Sequence, residues 1–214
     1  MPSDEREGGE GLDMFVQRSI FFGTQSRVSS AHAMASGAIT EAVPFLQASL
    51  FLSNFTAMSL PILPLFSKQE LEDLLHELYS EEEQTGLRCQ QKALTLAVLA
   101  VGALSTAHTD KAEFLYEQAK IAAAPFDEAV TLTMIQFSIT LGDYQINMGR
   151  PNSAYLHLGI AVRKVFAMGL NRQAAGTSSN DSLTQKRRST MWCLYFHERY
   201  SRHFEPVDLQ LTQN

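Results

Sequence analysis

The sequence predicts an all-α protein, an irregular bundle of antiparallel helices, and three observations support this. Apolar residues recur at helical spacing, as in Leu71, Leu74, Leu75 and Leu78, which fall at i, i+3, i+4 and i+7. Helix start and stop signals separate the apolar stretches. Runs of alternating polar and β-branched residues are missing, and so are Asn-Gly and Asp-Gly hairpin turns. The 214 residues are enough for one domain with a core.

The first well-marked helix begins after Ser67. Ser67 and Glu70 form a Ser-x-x-Glu capping box, in which the hydroxyl accepts from an early amide and the glutamate reaches back. Phe66 and Leu71 occupy the two positions of a hydrophobic staple. This pattern predicts an amphipathic helix that carries the four leucines on its buried side.

Two further helices follow. Residues 88–107 are apolar on nearly every side, which predicts a buried helix. Asp110 and Glu113 repeat the capping pattern and predict a helix to about residue 123, which Pro125 stops.

The last three predicted helices are separated by glycines and a polar loop. We expect helices at about 127–148, 152–168 and 182–204. Gly149 suits a left-handed cap, and Pro151 can begin the next helix. Gly169 ends that helix, a loop follows at 171–181, and Ser182 with Gln185 forms the last capping pair.

The chain divides into four predicted segments. Helical pieces near residues 12–22 and 41–57 are plausible within the weakly patterned part. The segments are an acidic disordered tail at 1–11, a partly helical segment at 12–60, a helical domain at 61–205 and a tail at 206–214.

Composition excludes several classes of protein. The net charge is −6 and the pI is about 5.5, whereas a free-standing reader of nucleic acid usually shows a basic domain. Two cysteines cannot form a disulfide framework or a four-thiolate zinc site. The acidic N-terminus lacks the features of a secretory signal, and the apolar runs are too short or too interrupted for a membrane span.

The sequence does not predict catalysis or a cofactor. The six histidines are scattered without metal-ligand spacing, and the nucleophile elbow, the phosphate-binding loop and the dinucleotide fingerprint are absent. We therefore expect no catalytic, cofactor-binding or metal-binding residues.

Two blocks in residues 149–202 carry a family resemblance. The first reads GRPNSAYLHLGIAVRKVFAMGLNR and the second reads QKRRSTMWCLYFHERYS. Together they resemble the middle homology domain of fungal-specific transcription factors, the regulatory domain that accompanies binuclear zinc-cluster modules. The motif residues are Gly149, Arg150, Pro151, Leu156, Gly159, Arg163, Gly169, Leu170, Arg172, Arg187, Arg188, Trp192, Leu194, Tyr195, Glu198, Arg199 and Ser201.

The resemblance implies a nuclear regulator of transcription that acts through homodimers or through other regulators. The family brings DNA and zinc through a six-cysteine module that this sequence lacks, so we expect no cofactor and negligible direct DNA binding. The family domain usually continues with more helices, which predicts a truncated form of a larger helical domain.

The last helix places Arg188, Trp192, Tyr195, Arg199 and Arg202 within about 40° of one line. One interpretation is a basic and aromatic face for nucleic acid. The favoured interpretation is a face turned to the core, with guanidinium groups against rings and carboxylates.

Two residues on the neighbouring helices carry further predictions. Asp143 is the only acid in its apolar helix, so we expect a buried ion pair with Arg163 or Arg199. Gly159 lies in mid-helix, where glycine is costly, which suggests a close helix–helix contact.

The favoured function is therefore a non-catalytic regulatory and interaction domain. Three alternatives stay open. One is a helical scaffold or adaptor unrelated to transcription. Another is an all-α enzyme with a buried apolar pocket lined by acids or histidines. The third is a fragment without activity of its own, which would expose a large apolar face.

Overall fold

A computed structural model describes residues 36–80, 86–173 and 182–202, and within these ranges the regular structure is helical. A short 3₁₀ turn, Ala124–Phe126, follows the fifth helix. The helices are α1 (Ser36–Ala42), α2 (Phe45–Met58), α3 (Lys68–Leu78), α4 (Gly86–Ala103), α5 (Thr109–Ala123), α6 (Leu132–Asn147), α7 (Pro151–Met168), α8 (Leu170–Gln173) and α9 (Ser182–Arg202). The all-α prediction is confirmed.

Helix α4 forms the centre of the bundle. It packs against α2, α3, α5 and α6, and residues 93–103 of it are all buried. The sequence dictates this position because these residues leave no polar face for solvent. The predicted buried helix is confirmed, although it ends at Ala103 rather than at 107.

The core begins before residue 61. Phe51 and Phe55 on α2 are fully buried in the same apolar cluster as α4, and Ala48 lies among them. Gly102 makes this packing possible, because a Cβ atom there would lie 1.9 Å from the Phe51 carbonyl oxygen. The weakly patterned segment at 12–60 therefore contains a helix of the core, α2.

Helix α3 begins as predicted. The Ser67 hydroxyl accepts a hydrogen bond from the Glu70 amide at 3.1 Å, and all four predicted leucines are buried. The Glu70 carboxylate, however, forms an ion pair with Lys186 of α9. Only the Ser67 half of the predicted capping box is therefore present. The Glu70 carboxylate instead links α3 to α9.

The predicted helix α5 is confirmed to within one residue, but the predicted cap at Asp110 and the predicted start of α6 were wrong. Helix α5 begins at Thr109 after His108, which makes no side-chain capping bond, so Asp110 lies inside the first turn. Helix α6 begins at Leu132, where the Thr131 hydroxyl accepts from the Met134 amide at 3.2 Å. The 3₁₀ turn Ala124–Phe126, which contains Pro125, separates the two helices, and α6 begins after the predicted residue 127.

The turns around α7 follow the sequence signals. Gly149 and Gly169 adopt left-handed conformations with φ of +69° and +72°, and Pro151 is the first residue of α7. This geometry places α7 against α6 and leads the chain through α8 into α9, which packs on both. The predicted loop at 171–181 was wrong at its start, because residues 171–173 belong to α8. The predicted helical piece near 12–22 and the loop residues 174–181 lie outside the described residues.

No helix within the described ranges is long and apolar enough to cross a bilayer.

Candidate functional site

Helix α9 exposes the side that carries its aromatic residues and buries a side of mixed polar and apolar residues. Thr190, Cys193, Leu194 and His197 face the interior, and the Gln136 amide of α6 donates to the Thr190 hydroxyl at 3.3 Å. The favoured interpretation of the aromatic side was therefore wrong, because Trp192 is 66% exposed and Tyr195 is 50% exposed. Polar partners on α6 decide which side of α9 packs inward.

The neighbouring helix α7 also exposes apolar side chains. Leu156 is 67% exposed and Phe166 is 62% exposed, while Tyr155 and Arg163 are also at the surface. Helix α7 packs on α6, where the buried Leu158 side chain lies against Gly142. Single exposed apolar residues are common, but a series on two adjacent helices indicates an interaction surface.

A groove of about 230 Å³ lies between the two helices. Gly159 lies in this groove, where the nearest atom to an added Cβ would be Arg163 Nη1 at 3.5 Å. The predicted close helix–helix contact at Gly159 was therefore wrong, and the missing side chain opens the groove instead. Its lining residues are Tyr155, Leu156, Leu158, Gly159, Val162 and Arg163 from α7 and Glu198 from α9.

Cationic and aromatic groups meet on the outer side of α9. The Arg199 guanidinium lies 5.4 Å from the centre of the Tyr195 ring, and its Nη1 donates to the Tyr195 hydroxyl at 2.7 Å. The Trp192 and Tyr195 rings meet edge to face at 5.9 Å. We call this surface the α7–α9 face, and it comprises Tyr155, Leu156, Gly159, Arg163, Phe166, Arg188, Trp192, Tyr195, Phe196, Glu198 and Arg199.

The α7–α9 face is basic in an acidic protein. The face itself holds Arg163, Arg188, Arg199 and Glu198, which gives +2. Helices α7 and α9 as a whole carry seven lysines and arginines and one acid, which gives +6, although Lys164 is buried and Lys186 pairs with Glu70. Since the whole chain has a net charge of −6, the remaining residues have a net charge of −12. The two helices therefore differ in electrostatic character from the rest of the chain.

The Gly149-Arg150-Pro151 turn positions a polar cluster at the other side of α7. Arg150 Nη1 lies 3.5 Å from Glu113 Oε1, and the Tyr144 hydroxyl donates to Glu113 Oε2 at 2.8 Å. Burial and the Glu113 carboxylate raise the pKa of Tyr144 well above its usual range. This motif arginine therefore joins α5 to the turn between α6 and α7.

A second set of hydrogen bonds crosses the interior beside this cluster. Gln145 Nε2 donates to the Tyr116 hydroxyl at 2.6 Å, and the Tyr116 hydroxyl lies 3.2 Å from His157 Nε2. Burial and the Lys120 ammonium lower the pKa of His157 to about 4, so the neutral ring can accept from Tyr116. The Tyr116 and Tyr144 rings stack at 4.5 Å. These contacts bind α5, α6 and α7 together.

Asp143 has a partner on α9, but the partner is His197. Their Oδ1 and Nε2 atoms are 3.4 Å apart, and the side chains are 13% and 3% exposed. The prediction of Arg163 or Arg199 was wrong because both arginines lie on the exposed sides of their helices. His197 Nδ1 lies 3.0 Å from the Cys193 carbonyl, which can only accept, so Nδ1 carries a proton.

The other motif residues divide between core and surface. Leu170 and Leu194 are buried, Arg187 is half-buried and Arg188 is exposed. Arg172 lies in α8 and Ser201 lies in the last turn of α9.

The described residues contain no group of three or more histidines, cysteines, aspartates and glutamates that could hold a metal ion. Burial raises the pKa of the Cys193 thiol to about 12, which disfavours the thiolate that zinc requires. The described residues therefore do not fit the zinc cluster of the family.

A larger groove of about 520 Å³ lies between α2 and α3. Its lining includes one acidic residue, Glu72, and one histidine, His76.

Sequence reasoning missed three polar residues that join the helices, namely the half-buried Glu113 and His157 and the buried His197. The sequence predicts a capping role for Glu113 and no role for the two histidines. No local signal marks these contacts, because the partners lie 31 to 54 positions away in the chain.

Comparison with known proteins agrees with the motif residues. A family model described as the fungal specific transcription factor domain matches residues 43–201. The chain is 20% identical over 159 residues to an uncharacterized transcriptional regulatory protein of Schizosaccharomyces pombe, an alignment that covers 72% of this chain and 21% of that protein. The chain thus spans about a fifth of the length of this curated relative. No solved structure matches the chain.

Proposed function

Because the chain belongs to the fungal specific transcription factor domain family, we propose that it is a non-catalytic domain that regulates transcription in the nucleus by contacting other proteins. The observation that carries this proposal is the family match, which spans residues 43–201 of a 214-residue chain. The relative in Schizosaccharomyces pombe, described as a transcriptional regulatory protein, supports the same role.

The surface of the domain favours protein contacts. Trp192, Tyr195 and Leu156 are each at least half exposed on two adjacent helices. Aromatic side chains and arginine are the residues most enriched where proteins bind one another. The partner in this proposal is another transcription regulator.

Direct recognition of duplex DNA is not part of the proposed function. The chain as a whole carries a net charge of −6, which opposes approach to a phosphate backbone. We expect the purified chain to cause no salt-sensitive, sequence-selective shift of duplex DNA.

A tethering assay tests the proposal. The chain would be fused to a heterologous DNA-binding domain in yeast, and transcription from a matching reporter would be compared with that of the DNA-binding domain alone. We expect a several-fold change in reporter output and a nuclear signal from a fluorescent fusion. An unchanged reporter, with the fusion folded and present in the nucleus, would favour an adaptor unrelated to transcription.

A further inference from the structure

We propose that the α7–α9 face is a docking site for an acidic amphipathic helix of a partner protein. Apolar side chains of that helix would pack in the groove beside Gly159, and its carboxylates would meet the arginines around the groove. This inference rests on the proposed function and deepens it, because it names the chemistry of the partner.

The apolar part of the face determines that the ligand carries apolar anchors. Leu156, Phe166 and Trp192 are each more than 60% exposed, so covering them with apolar side chains of a partner would remove apolar surface from water and favour binding. The groove of about 230 Å³ has room for apolar side chains spaced one helical turn apart. A helix with apolar residues at i, i+3, i+4 and i+7 presents such a row.

The charge of the face determines that the ligand is acidic. Arg163, Arg188 and Arg199 are exposed on it, while Glu198 is its one acid. Carboxylates of a partner would gain charge-assisted hydrogen bonds from the guanidinium groups, and the opposite potentials would speed association.

The same charge disfavours a second copy of this chain. A symmetric dimer would bring two copies of this face together, each with three arginines and one acid. The net positive charge on both sides would oppose association. A partner with carboxylates removes this repulsion.

The aliphatic content of the face disfavours nucleic acid. Leu156, Val162 and Leu158 line the groove, and they offer neither ring stacking nor hydrogen bonds to a base or phosphate. Arginine and tyrosine alone would suit either ligand, but this apolar lining suits a protein helix.

The test uses a defined peptide and the full chain. A fluorescein-labelled peptide of about four helical turns would carry leucine at every third or fourth position and glutamate or aspartate elsewhere. A matched peptide would carry lysine in place of every acid. Fluorescence anisotropy would give the affinity of each, and we expect the acidic peptide to bind at least tenfold more tightly.

Three variants place the binding on the face. Trp192→Ala with Tyr195→Ala should weaken binding at least tenfold, and Arg163→Glu should weaken it several-fold at low salt. Leu46→Ala is the matched control, because Leu46 is 83% exposed on α2 and lies outside the face. Circular dichroism would confirm that each variant keeps its helical content.

Four outcomes would overturn the inference. Equal affinity for the two peptides would mean an unspecific apolar surface, and an unchanged affinity in the Trp192 and Tyr195 variant would place binding elsewhere. Tighter binding of a labelled DNA duplex would favour nucleic acid. A dimer that the Trp192 and Tyr195 variant dissociates, measured by light scattering, would favour a second copy. A reporter that still responds in any of these cases would leave the proposed function standing and reject this partner.

Discussion

The carbonyl oxygen of Phe51 lies directly over Gly102, so close that a Cβ atom on Gly102 would stand 1.9 Å from it. This contact joins α2 to the central helix α4 through backbone atoms, which cannot move aside as a side chain can. The packing of α2 on α4 therefore depends on a single hydrogen atom in place of a methyl group.

Two glycine substitutions should have opposite effects. Gly102→Ala should lower the free energy of unfolding by about 3 kcal/mol or more, because α2 must shift away from α4. Gly159→Ala should raise it by up to about 1 kcal/mol, because that mid-helix position is open and alanine favours the helix. Urea denaturation of both variants measures the difference, and equal effects would contradict the packing described for Gly102.

The two buried tyrosines should differ in their contribution to stability. Tyr144→Phe removes one hydrogen bond to Glu113, a partly exposed carboxylate that water can reach, so we expect a loss of about 1 kcal/mol. Tyr116→Phe leaves the buried Gln145 amide without its acceptor, so we expect about 2 kcal/mol. Denaturation at neutral pH would show the order, and a larger loss for Tyr144→Phe would argue against the Gln145–Tyr116–His157 network.

Acid should destabilise the domain through His157. Its pKa is about 4 in the folded chain and near the ordinary histidine value of 6.5 when unfolded, so the unfolded state binds more protons between these values. Stability is therefore fully present above about pH 6.5 and falls as pH drops toward 4, by up to about 3 kcal/mol from this residue. The His157→Gln variant should lose this part of the pH dependence, and a parallel pH profile for variant and parent would contradict it.

The contact between α6 and α9 should depend on His197. His197→Ala leaves the Asp143 carboxylate buried without its partner, so we expect a loss of about 3 kcal/mol. Asp143→Asn should cost less stability, because the Asn side-chain amide can donate a hydrogen bond to His197 Nε2. Thermal unfolding of the two variants checks this order, and equal losses would mean that packing alone matters there.

Local chemistry explains which parts of the fold could be predicted. The Ser67 cap, the left-handed Gly149 and the N-terminal Pro151 depend on residues adjacent in the chain, and each was predicted correctly. The Phe51–Gly102 contact depends on residues 51 positions apart, and no periodicity marks it.

The candidate site was harder to predict because α9 carries apolar residues on both sides. Its exposed side carries Trp192 and Tyr195, while its buried side carries Cys193 and Leu194 together with Thr190 and His197, which have polar partners on α6. Spacing along the sequence correctly placed the aromatic and basic residues together. The partners of Thr190 and His197 are distant in the chain, so spacing could not show which side faces solvent.

One measurement tests the central claim most directly. It compares reporter transcription driven by the tethered chain with that driven by the same chain altered on the α7–α9 face. The chain with Trp192→Ala and Tyr195→Ala should return reporter output to the level of the DNA-binding domain alone, while the Leu46→Ala control should match the unaltered chain. Output from the Trp192 and Tyr195 variant that equals that of the unaltered chain would contradict the claim that the domain regulates transcription through this surface.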